Sequence, residues 1–146
     1  DLNSLFVCTG NTCRSPMAEA ILRAKSLPGV NVQSAGIFTQ DGIPMSEHAY
    51  KLVTEHHYPH TKTSQMIRPE LVEWADYVLT MTRSHRDQLH QLYPETKAQI
   101  ETLASFVGSE GQDIQDPYGG TYELYEVTFQ QLASYIERLH QKIGGQ

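Results

Sequence analysis

Residues 5–17 read LFVCTGNTCRSPM, and this stretch decides the fold. Three apolar residues lead into a loop of small and polar residues, and the apolar spacing typical of a helix begins after Pro16. Proline suits the first position of a helix, so Ser15 directly before it is predicted to be the N-cap. The stretch therefore predicts a strand, a tight loop and a helix in immediate succession.

The rest of the chain continues the alternation of strands and helices. The first helix is predicted to end near Pro28, and later strands are predicted at 30–35, 77–81 and 100–103. Later helices are predicted to begin at Ser46, at Arg68, at Ser84 with Asp87 as its capping-box partner, and at Leu124. Strands separated by helices predict an α/β fold with a parallel sheet covered on both faces. Ligands bind such sheets beyond the carboxyl ends of the strands, where the loop at 8–15 opens.

Size and composition describe an ordinary globular protein. The chain has 146 residues, 39% of them hydrophobic, and is predicted to form a single domain spanning 1–146. A net charge of −6 argues against nucleic acid or a membrane surface as a partner. Because no apolar run could span a bilayer and no secretory signal is recognisable, the predicted location is the cytoplasm. Two cysteines are too few for a disulfide framework or a four-cysteine zinc site.

The loop from Cys8 to Ser15 carries the residue types of a phosphate-binding loop. Its backbone N–H groups and the following helix dipole can form a cradle for a tetrahedral dianion, with Gly10 letting the backbone curl closely. The same positive field predicts a depressed pKa for Cys8, which would make it a nucleophile at neutral pH. Arg14 can hold two phosphate oxygens through its planar fork. Ser15 could donate a hydrogen bond to the sulfur.

Attack by Cys8 on a bound phosphoryl group would expel a leaving group that needs a proton, so an acid must lie opposite the sulfur. Asp116 is the candidate, because the following Pro117 holds it in an extended conformation that would point its side chain. The same residue could then act as the base that activates water. Asp113 is a rival for this role, and Asp-Pro by itself is a common turn signal.

The residues from Phe6 to Glu19 and from Asp116 to Tyr118 resemble the low-molecular-weight protein tyrosine phosphatase family. The resemblance in element order covers nearly the whole chain. It implies a three-layer fold with a four-stranded parallel sheet of order 2-1-3-4, no metal or other cofactor, and a cysteinyl-phosphate intermediate. It also implies that Cys8 is the nucleophile, Arg14 the phosphate binder and Asp116 the general acid.

Within that family the loop most resembles the bacterial protein arginine phosphatases, because residues 8–20 read CTGNTCRSPMAEA with Thr12 in place. Tyrosine-specific members usually carry a bulkier aliphatic residue at that position. The resemblance places Phe38 and Tyr118 as aromatic walls around a cationic guanidinium, which makes sense as a cation–π slot. Gly119 stands where many tyrosine-specific members have a second tyrosine, which supports phosphoarginine and does not exclude phosphotyrosine.

The remaining predicted site residues belong to the loop or support it. The predicted substrate contacts within the loop are Thr9, Gly10, Asn11, Thr12, Cys13 and Ser15. The family pattern suggests that Asn11 and Ser34 join the hydrogen-bond network of the loop; ordinary turn and strand-end chemistry is the alternative. A Cys8–Cys13 disulfide under oxidation is a hypothesis, and the alternative is that Cys13 packs beneath the loop.

The functional alternatives follow from these residues. The leading hypothesis is a phosphatase that acts on phosphoarginine in proteins and releases inorganic phosphate, with phosphotyrosine as the alternative substrate. A phosphate-binding module without turnover is a third possibility. Arsenate reduction would need cysteines after Cys13, and there are none. The histidines in EHHYPH, residues 55–60, are interpreted as a solvated helix end rather than a metal site. His85 and Arg86 could touch substrate near the strand end at Met81, although such residues are more often solvated.

Overall fold

The computed structural model describes residues 1–144; the predicted domain also includes 145–146, which lie outside the described residues. Its strands are β1 (Leu2–Cys8), β2 (Val30–Gly36), β3 (Tyr77–Thr80) and β4 (Gln99–Thr102). Its helices are α1 (Arg14–Ala24), α2 (Glu47–Glu55), α3 (Pro69–Trp74), α4 (Arg83–Leu92), α5 (Leu103–Phe106) and α6 (Tyr122–Ile143). Among the described residues, no helix combines the length and the apolar character needed to cross a membrane.

The four strands form one parallel sheet in the order β2-β1-β3-β4, which confirms the predicted fold class. Strand β1 lies inside the sheet and is buried on both faces. Its side chains alternate: Phe6 and Cys8 join the core beneath α1, α2, α5 and α6, while Leu5 and Val7 join the core beneath α3 and α4. Burial on both faces explains why residues 5–8 of β1 read as a continuous apolar run.

Several predicted boundaries are wrong at the ends of helices. Helix α1 begins at Arg14, so Ser15 lies inside its first turn and is not the N-cap, and the helix ends at Ala24 rather than near Pro28. Thr82 caps α4 by accepting the backbone N–H of His85, which places the cap before the predicted Ser84. Leu103, predicted as the end of a strand, begins the short helix α5.

The fold brings the end of β1 against the end of β2. The backbone N–H groups of Ile37 and Phe38 donate to the carbonyls of Cys8 and Thr9, both at 3.0 Å. A Cβ atom on Gly36 would lie 2.6 Å from the Thr9 carbonyl oxygen, so only glycine allows this close approach. The loop after β1 is therefore held from one side by the segment that leaves β2.

Candidate active site

The loop at 8–15 turns at Asn11, whose φ is 56°. Asparagine is one of the few residues that adopt this left-handed conformation without a large penalty. Gly10 is not in the left-handed region, and a Cβ on it would meet only the Thr12 hydroxyl oxygen at 3.6 Å. The prediction that Gly10 supplies the tight curl is therefore wrong, and Asn11 supplies it.

The sulfur of Cys8 lies at the bottom of this loop and is buried. The Ser15 Oγ lies 2.8 Å from it, and the Asn11 backbone N–H donates to it at 3.3 Å. Burial raises the pKa of Cys8, while the hydrogen bonds from Ser15 and Asn11 and the charge of Arg14 act in the opposite direction. The net direction is upward. The predicted depression of this pKa is therefore wrong, because the sequence does not show how deeply the sulfur is enclosed.

The Asn11 side chain fixes the direction of the hydrogen bonds around Ser15. Its Oδ1 accepts the Gln65 backbone N–H at 2.9 Å, so its Nδ2 faces the hydroxyl oxygens of Ser15 at 2.8 Å and Ser34 at 2.9 Å. An amide NH₂ group can only donate. The Ser15 oxygen therefore accepts from Asn11, which leaves the Ser15 proton available to donate to the Cys8 sulfur.

Behind this network lies Glu19, a buried carboxylate of α1 that the sequence analysis did not select. It accepts hydrogen bonds from the hydroxyls of Ser34 and Thr61, both at 2.6 Å, and pairs with Arg23 at 3.2 Å. Buried carboxylates need such partners. Glu19 is flanked by Ala18 and Ala20 in the sequence, and a charge among small buried residues is the signal that could have found it.

Arg14 lies in the first turn of α1 and is buried. Its Nη1 donates to the Ile114 carbonyl at 2.8 Å, and its Nη2 lies 3.6 Å from the Asp116 Oδ2. The other carboxylate oxygen of Asp116 accepts the Tyr118 backbone N–H at 3.0 Å. The loop at 113–120 thus brings Asp116 to the loop at 8–15 and orients its carboxylate.

The rival carboxylate, Asp113, faces a different cation. Its Oδ1 accepts the backbone N–H of Arg83 at 2.9 Å and the Arg83 Nε–H at 3.2 Å. Partial burial raises the pKa of Asp113, but the hydrogen bonds and charge of Arg83 outweigh it and the net pKa is lowered. A lowered pKa favours the ionised carboxylate, which suits an ion-pair partner better than a proton donor.

Phe38 and Tyr118 line one open cavity of about 590 Å³ together with Gly10 and Thr12 of the loop. Both aromatic side chains are largely exposed, at 82% and 77%. Gly119 after Tyr118 has φ +77°, a conformation that a tyrosine would rarely adopt. The two predicted walls therefore share a cavity, and the backbone at 119 disfavours a second tyrosine there.

Cys13 is buried beneath the loop as a free thiol, and Cys8 is also free. The Cys13 sulfur lies 3.2 Å from the Tyr125 hydroxyl and 3.4 Å from the Ser46 hydroxyl. Burial and the contact with Cys13 raise the pKa of Tyr125 to about 12, so this phenol is neutral. The hypothesis of a Cys8–Cys13 disulfide stays a prediction.

The histidines fall into two groups. His85, for which the sequence favours a solvated position, is buried, and its Nε2 lies 2.8 Å from the Thr9 Oγ1 of the loop. In the EHHYPH stretch, the Nδ1 atoms of His56 and His60 face backbone carbonyls at 2.8 and 2.9 Å. Within residues 1–144, no cluster of three His, Cys, Asp or Glu side chains has a geometry that could hold a metal.

A cysteine loop at the end of the first strand, closed by an arginine that begins the next helix, is the arrangement found in cysteine-dependent phosphatases. The sequence profile of the family described as low molecular weight phosphotyrosine protein phosphatase matches residues 3–146. The chain belongs to this family, and it is a protein phosphatase.

Relatives with both named specificities resemble the chain. A protein-arginine-phosphatase from Geobacillus stearothermophilus is 44% identical over 139 residues, covering 95% of this chain and 94% of the relative. A low molecular weight protein-tyrosine-phosphatase, PtpB, from Staphylococcus aureus is 41% identical over 135 residues, covering 92% and 94%.

Solved structures agree with this placement. The structure of the YwlE arginine phosphatase from Geobacillus stearothermophilus has a TM-score of 0.94 at 43% identity, covering 98% of this chain and 93% of that one. A YwlE variant in which serine replaces the active-site cysteine, and is phosphorylated, has a TM-score of 0.92 at 34% identity, covering 97% and 95%.

Proposed function

We propose that this protein hydrolyses phosphoarginine in phosphorylated proteins through a cysteinyl-phosphate intermediate on Cys8. The observation that carries the proposal is the contact between Arg14 and Asp116, 3.6 Å apart at the mouth of the cysteine loop. It places a carboxyl group next to the side chain that would clamp the phosphate. The cell compartment predicted from composition, the cytoplasm, stays a prediction.

In the first step the Cys8 thiolate attacks phosphorus. Ser15 and the Asn11 N–H are placed to donate hydrogen bonds to the sulfur, and these bonds lower the pKa of Cys8 and offset part of the larger effect of burial. As the S–P bond forms, the P–N bond to the leaving guanidine breaks. The backbone N–H groups of the loop and the Arg14 fork hold the phosphoryl oxygens while charge redistributes.

The leaving guanidine nitrogen needs a proton, which Asp116 supplies. Asp116 is half-exposed, so the attacking water can reach its carboxylate once the leaving group has departed. In the second step the Asp116 carboxylate takes a proton from water, the water oxygen attacks phosphorus, and the S–P bond breaks to release inorganic phosphate. The hydrogen bond from Ser15 stabilises Cys8 as the leaving group in this step.

Two features support phosphoarginine over phosphotyrosine. Thr12 is smaller than the aliphatic residue usual in tyrosine-specific members, and it lines the cavity between the aromatic walls Phe38 and Tyr118. A guanidinium between two aromatic faces gains a cation–π interaction. The left-handed backbone at Gly119 removes the second tyrosine wall of a phenol pocket.

Phosphotyrosine remains the second candidate, and the tyrosine-phosphatase relative at 41% identity favours it. Matched peptides carrying phosphoarginine or phosphotyrosine decide between the two. We expect the wild-type protein to show a higher kcat/KM for phosphoarginine than for phosphotyrosine. Thr12→Ile should lower this preference for phosphoarginine about tenfold or more, since a branched side chain would fill the slot between the aromatic walls. A preference of the wild-type protein for phosphotyrosine would overturn the assignment.

The same peptides test the non-catalytic alternative. Cys8→Ser should bind phosphopeptide without releasing phosphate, while the wild-type protein turns it over. If the wild-type protein also binds without release, the chain is a binding module.

A further inference from the structure

Exposed apolar side chains concentrate beside the catalytic loop. Of the seven large hydrophobic side chains exposed in the described residues, four line the same cavity of about 590 Å³: Phe38, Ile43, Met66 and Tyr118. Single exposed apolar residues scattered over a surface need no explanation, but a contiguous group marks a binding surface. We call the part formed by Phe38, Ile43 and Met66 the apolar groove.

The backbone beneath the apolar groove is already hydrogen-bonded in the absence of a partner. The segment at 41–45 is paired with the segment at 62–66 by backbone hydrogen bonds: Gly42 N–H to the Ser64 carbonyl at 2.9 Å, Ser64 N–H to the Ile43 carbonyl at 2.8 Å, and Met45 N–H to the Lys62 carbonyl at 3.1 Å. Asp41 also accepts the Met66 backbone N–H at 2.8 Å. The backbone at Ile43 and Met66 is thus held in place, so binding there would require little ordering of the backbone.

The residues that line the apolar groove favour an uncharged side chain as its occupant. Besides the aromatic and aliphatic residues, the cavity is lined by Gly10, Thr12, Thr39 and Gln40, none of which carries a charge. Met66 adds a flexible, polarisable side chain that adapts to apolar groups of different shape. At Ile43 and Met66, away from the two aromatic faces proposed to hold the guanidinium, a charged side chain would lose hydration without gaining a partner.

The apolar groove is continuous with the catalytic loop, because Gly10 and Thr12 form one wall of the same cavity. A polypeptide whose phosphorylated side chain reaches Cys8 must therefore pass along its rim. We infer that the apolar groove binds an apolar side chain of the substrate protein, one or two residues from the phosphorylated residue. This inference rests on the proposed action on proteins and adds a sequence preference to it.

A second copy of this chain is a different possible occupant. A stable dimer buries about 800 Å² on each partner, which is more than four side chains around one cavity provide, and a copy seated here would cover the catalytic loop. The substrate polypeptide is the occupant that the position favours.

The test uses peptides that differ only in the residues flanking the phosphorylated position, leucine in one set and glycine in the other. We expect the wild-type protein to show about tenfold higher kcat/KM for the leucine set, mainly through KM, since burying one aliphatic side chain is worth roughly that factor. Ile43→Ser and Met66→Ser should each reduce this preference severalfold. The glycine set measures catalysis itself in every variant.

Leu92→Ser is the matched control, because Leu92 is an exposed apolar residue of α4 outside the cavity, and it should keep the full preference. Equal kcat/KM for both sets in the wild-type protein, or a preference that survives Ile43→Ser, overturns the inference. A concentration-dependent dimer in sedimentation that Ile43→Ser abolishes would also overturn it, in favour of a second copy.

Each peptide is made with phosphoarginine and with phosphotyrosine. If only phosphotyrosine is hydrolysed, the proposal of phosphoarginine as the substrate is wrong. The ratio of kcat/KM between the leucine and glycine sets of phosphotyrosine peptides then still tests whether the apolar groove binds an apolar side chain.

Discussion

The Nε2 atom of His85 lies 2.8 Å from the Oγ1 atom of Thr9, so helix α4 contacts the catalytic loop directly. The other ring nitrogen lies 3.0 Å from the Thr82 hydroxyl oxygen. A neutral imidazole carries one N–H. With that proton on Nε2, the Thr9 oxygen accepts it, and the Thr9 hydroxyl is free to donate into the loop. His85 is thus a positioning residue for Thr9.

The pH dependence of stability should report His85. Burial and the charge of Arg14 lower its pKa from 6.5 to about 4, against smaller opposing effects of Asp116 and Asp113. As the pH falls, His85 binds a proton near pH 6.5 in the unfolded chain but only near pH 4 in the folded protein. The contribution of His85 to the free energy of unfolding is therefore complete above pH 6.5 and is lost between pH 6.5 and 4. At about pH 4.5 the full shift would cost about 2.5 kcal/mol, since one pKa unit is worth about 1.4 kcal/mol, and solvent screening reduces the expected loss to about 1–2 kcal/mol.

Urea unfolding near pH 7 and about pH 4.5 measures this loss. His85→Gln should lose less stability on acidification than the wild-type protein, whereas His90→Gln, an exposed position on the same helix, should lose as much as wild type. An equal loss in all three proteins would contradict the role given to His85.

Replacement of Asp116 should remove general-acid catalysis. We expect Asp116→Asn to lower kcat for phosphoarginine about 10²–10⁴-fold, the range typical of this contribution. An aryl phosphate whose phenol leaves without protonation should lose much less. Asp113→Asn is the control, because Asp113 pairs with Arg83. The assignment is wrong if Asp113→Asn is the more damaging change.

The hydrogen bond from Ser15 should be visible in the reactivity of Cys8. Because this bond lowers the pKa of Cys8 against the effect of burial, Ser15→Ala should move that pKa further upward. The rate of Cys8 alkylation by iodoacetamide rises with pH as the thiolate forms, and its midpoint should lie at higher pH in the variant. Ser84→Ala changes an exposed serine and should leave the midpoint unchanged. An unshifted midpoint in Ser15→Ala would refute the direction assigned to the Ser15 proton.

The alternation of strands and helices could be predicted because residues 5–7 are an apolar run and most of the later strands are separated by helical patterns, whereas the order of the strands came from the family resemblance. The wrong predictions concern side chains that form a different hydrogen bond from the helix cap that their residue type predicts. Ser15 has the residue type of an N-cap, but its hydroxyl bonds the Cys8 sulfur. Ser84 lost the cap to Thr82, whose hydroxyl contacts both the backbone and the ring of His85. Residue preferences for helix caps do not show which of these competing hydrogen bonds forms in the folded chain.

The candidate site was predictable where its residues are close in sequence, as in the loop at 8–15. Its supports were not, because Glu19 and His85 reach the loop only through the folded packing of α1 and α4. The predicted direction of the Cys8 pKa was wrong for a related reason. The sequence shows the hydrogen-bond donors around a thiol but not how much water is excluded from it. Residue type and spacing identify the reactive groups, whereas their burial determines whether their pKa is raised or lowered.

The close approach of β2 to the catalytic loop gives the last prediction. A Cβ on Gly36 would lie 2.6 Å from the Thr9 carbonyl oxygen, 2.8 Å from the Thr39 Cγ2 and 3.1 Å from the Asn11 backbone nitrogen. Two of these atoms belong to the loop backbone, so Gly36→Ala must displace the loop that would hold the phosphate. We expect a loss of about 1–3 kcal/mol in stability, typical of overpacking, and a weaker affinity for inorganic phosphate or vanadate.

Gly111→Ala separates these two effects. Gly111 has φ +80° and open space around its Cβ position, so alanine there adds backbone strain without touching the loop. Thermal unfolding and vanadate inhibition should show both variants destabilised, but only Gly36→Ala with a raised inhibition constant. Unchanged vanadate inhibition in Gly36→Ala would mean that the loop does not depend on this contact, because its geometry would then have survived the steric conflict with the Thr9 carbonyl.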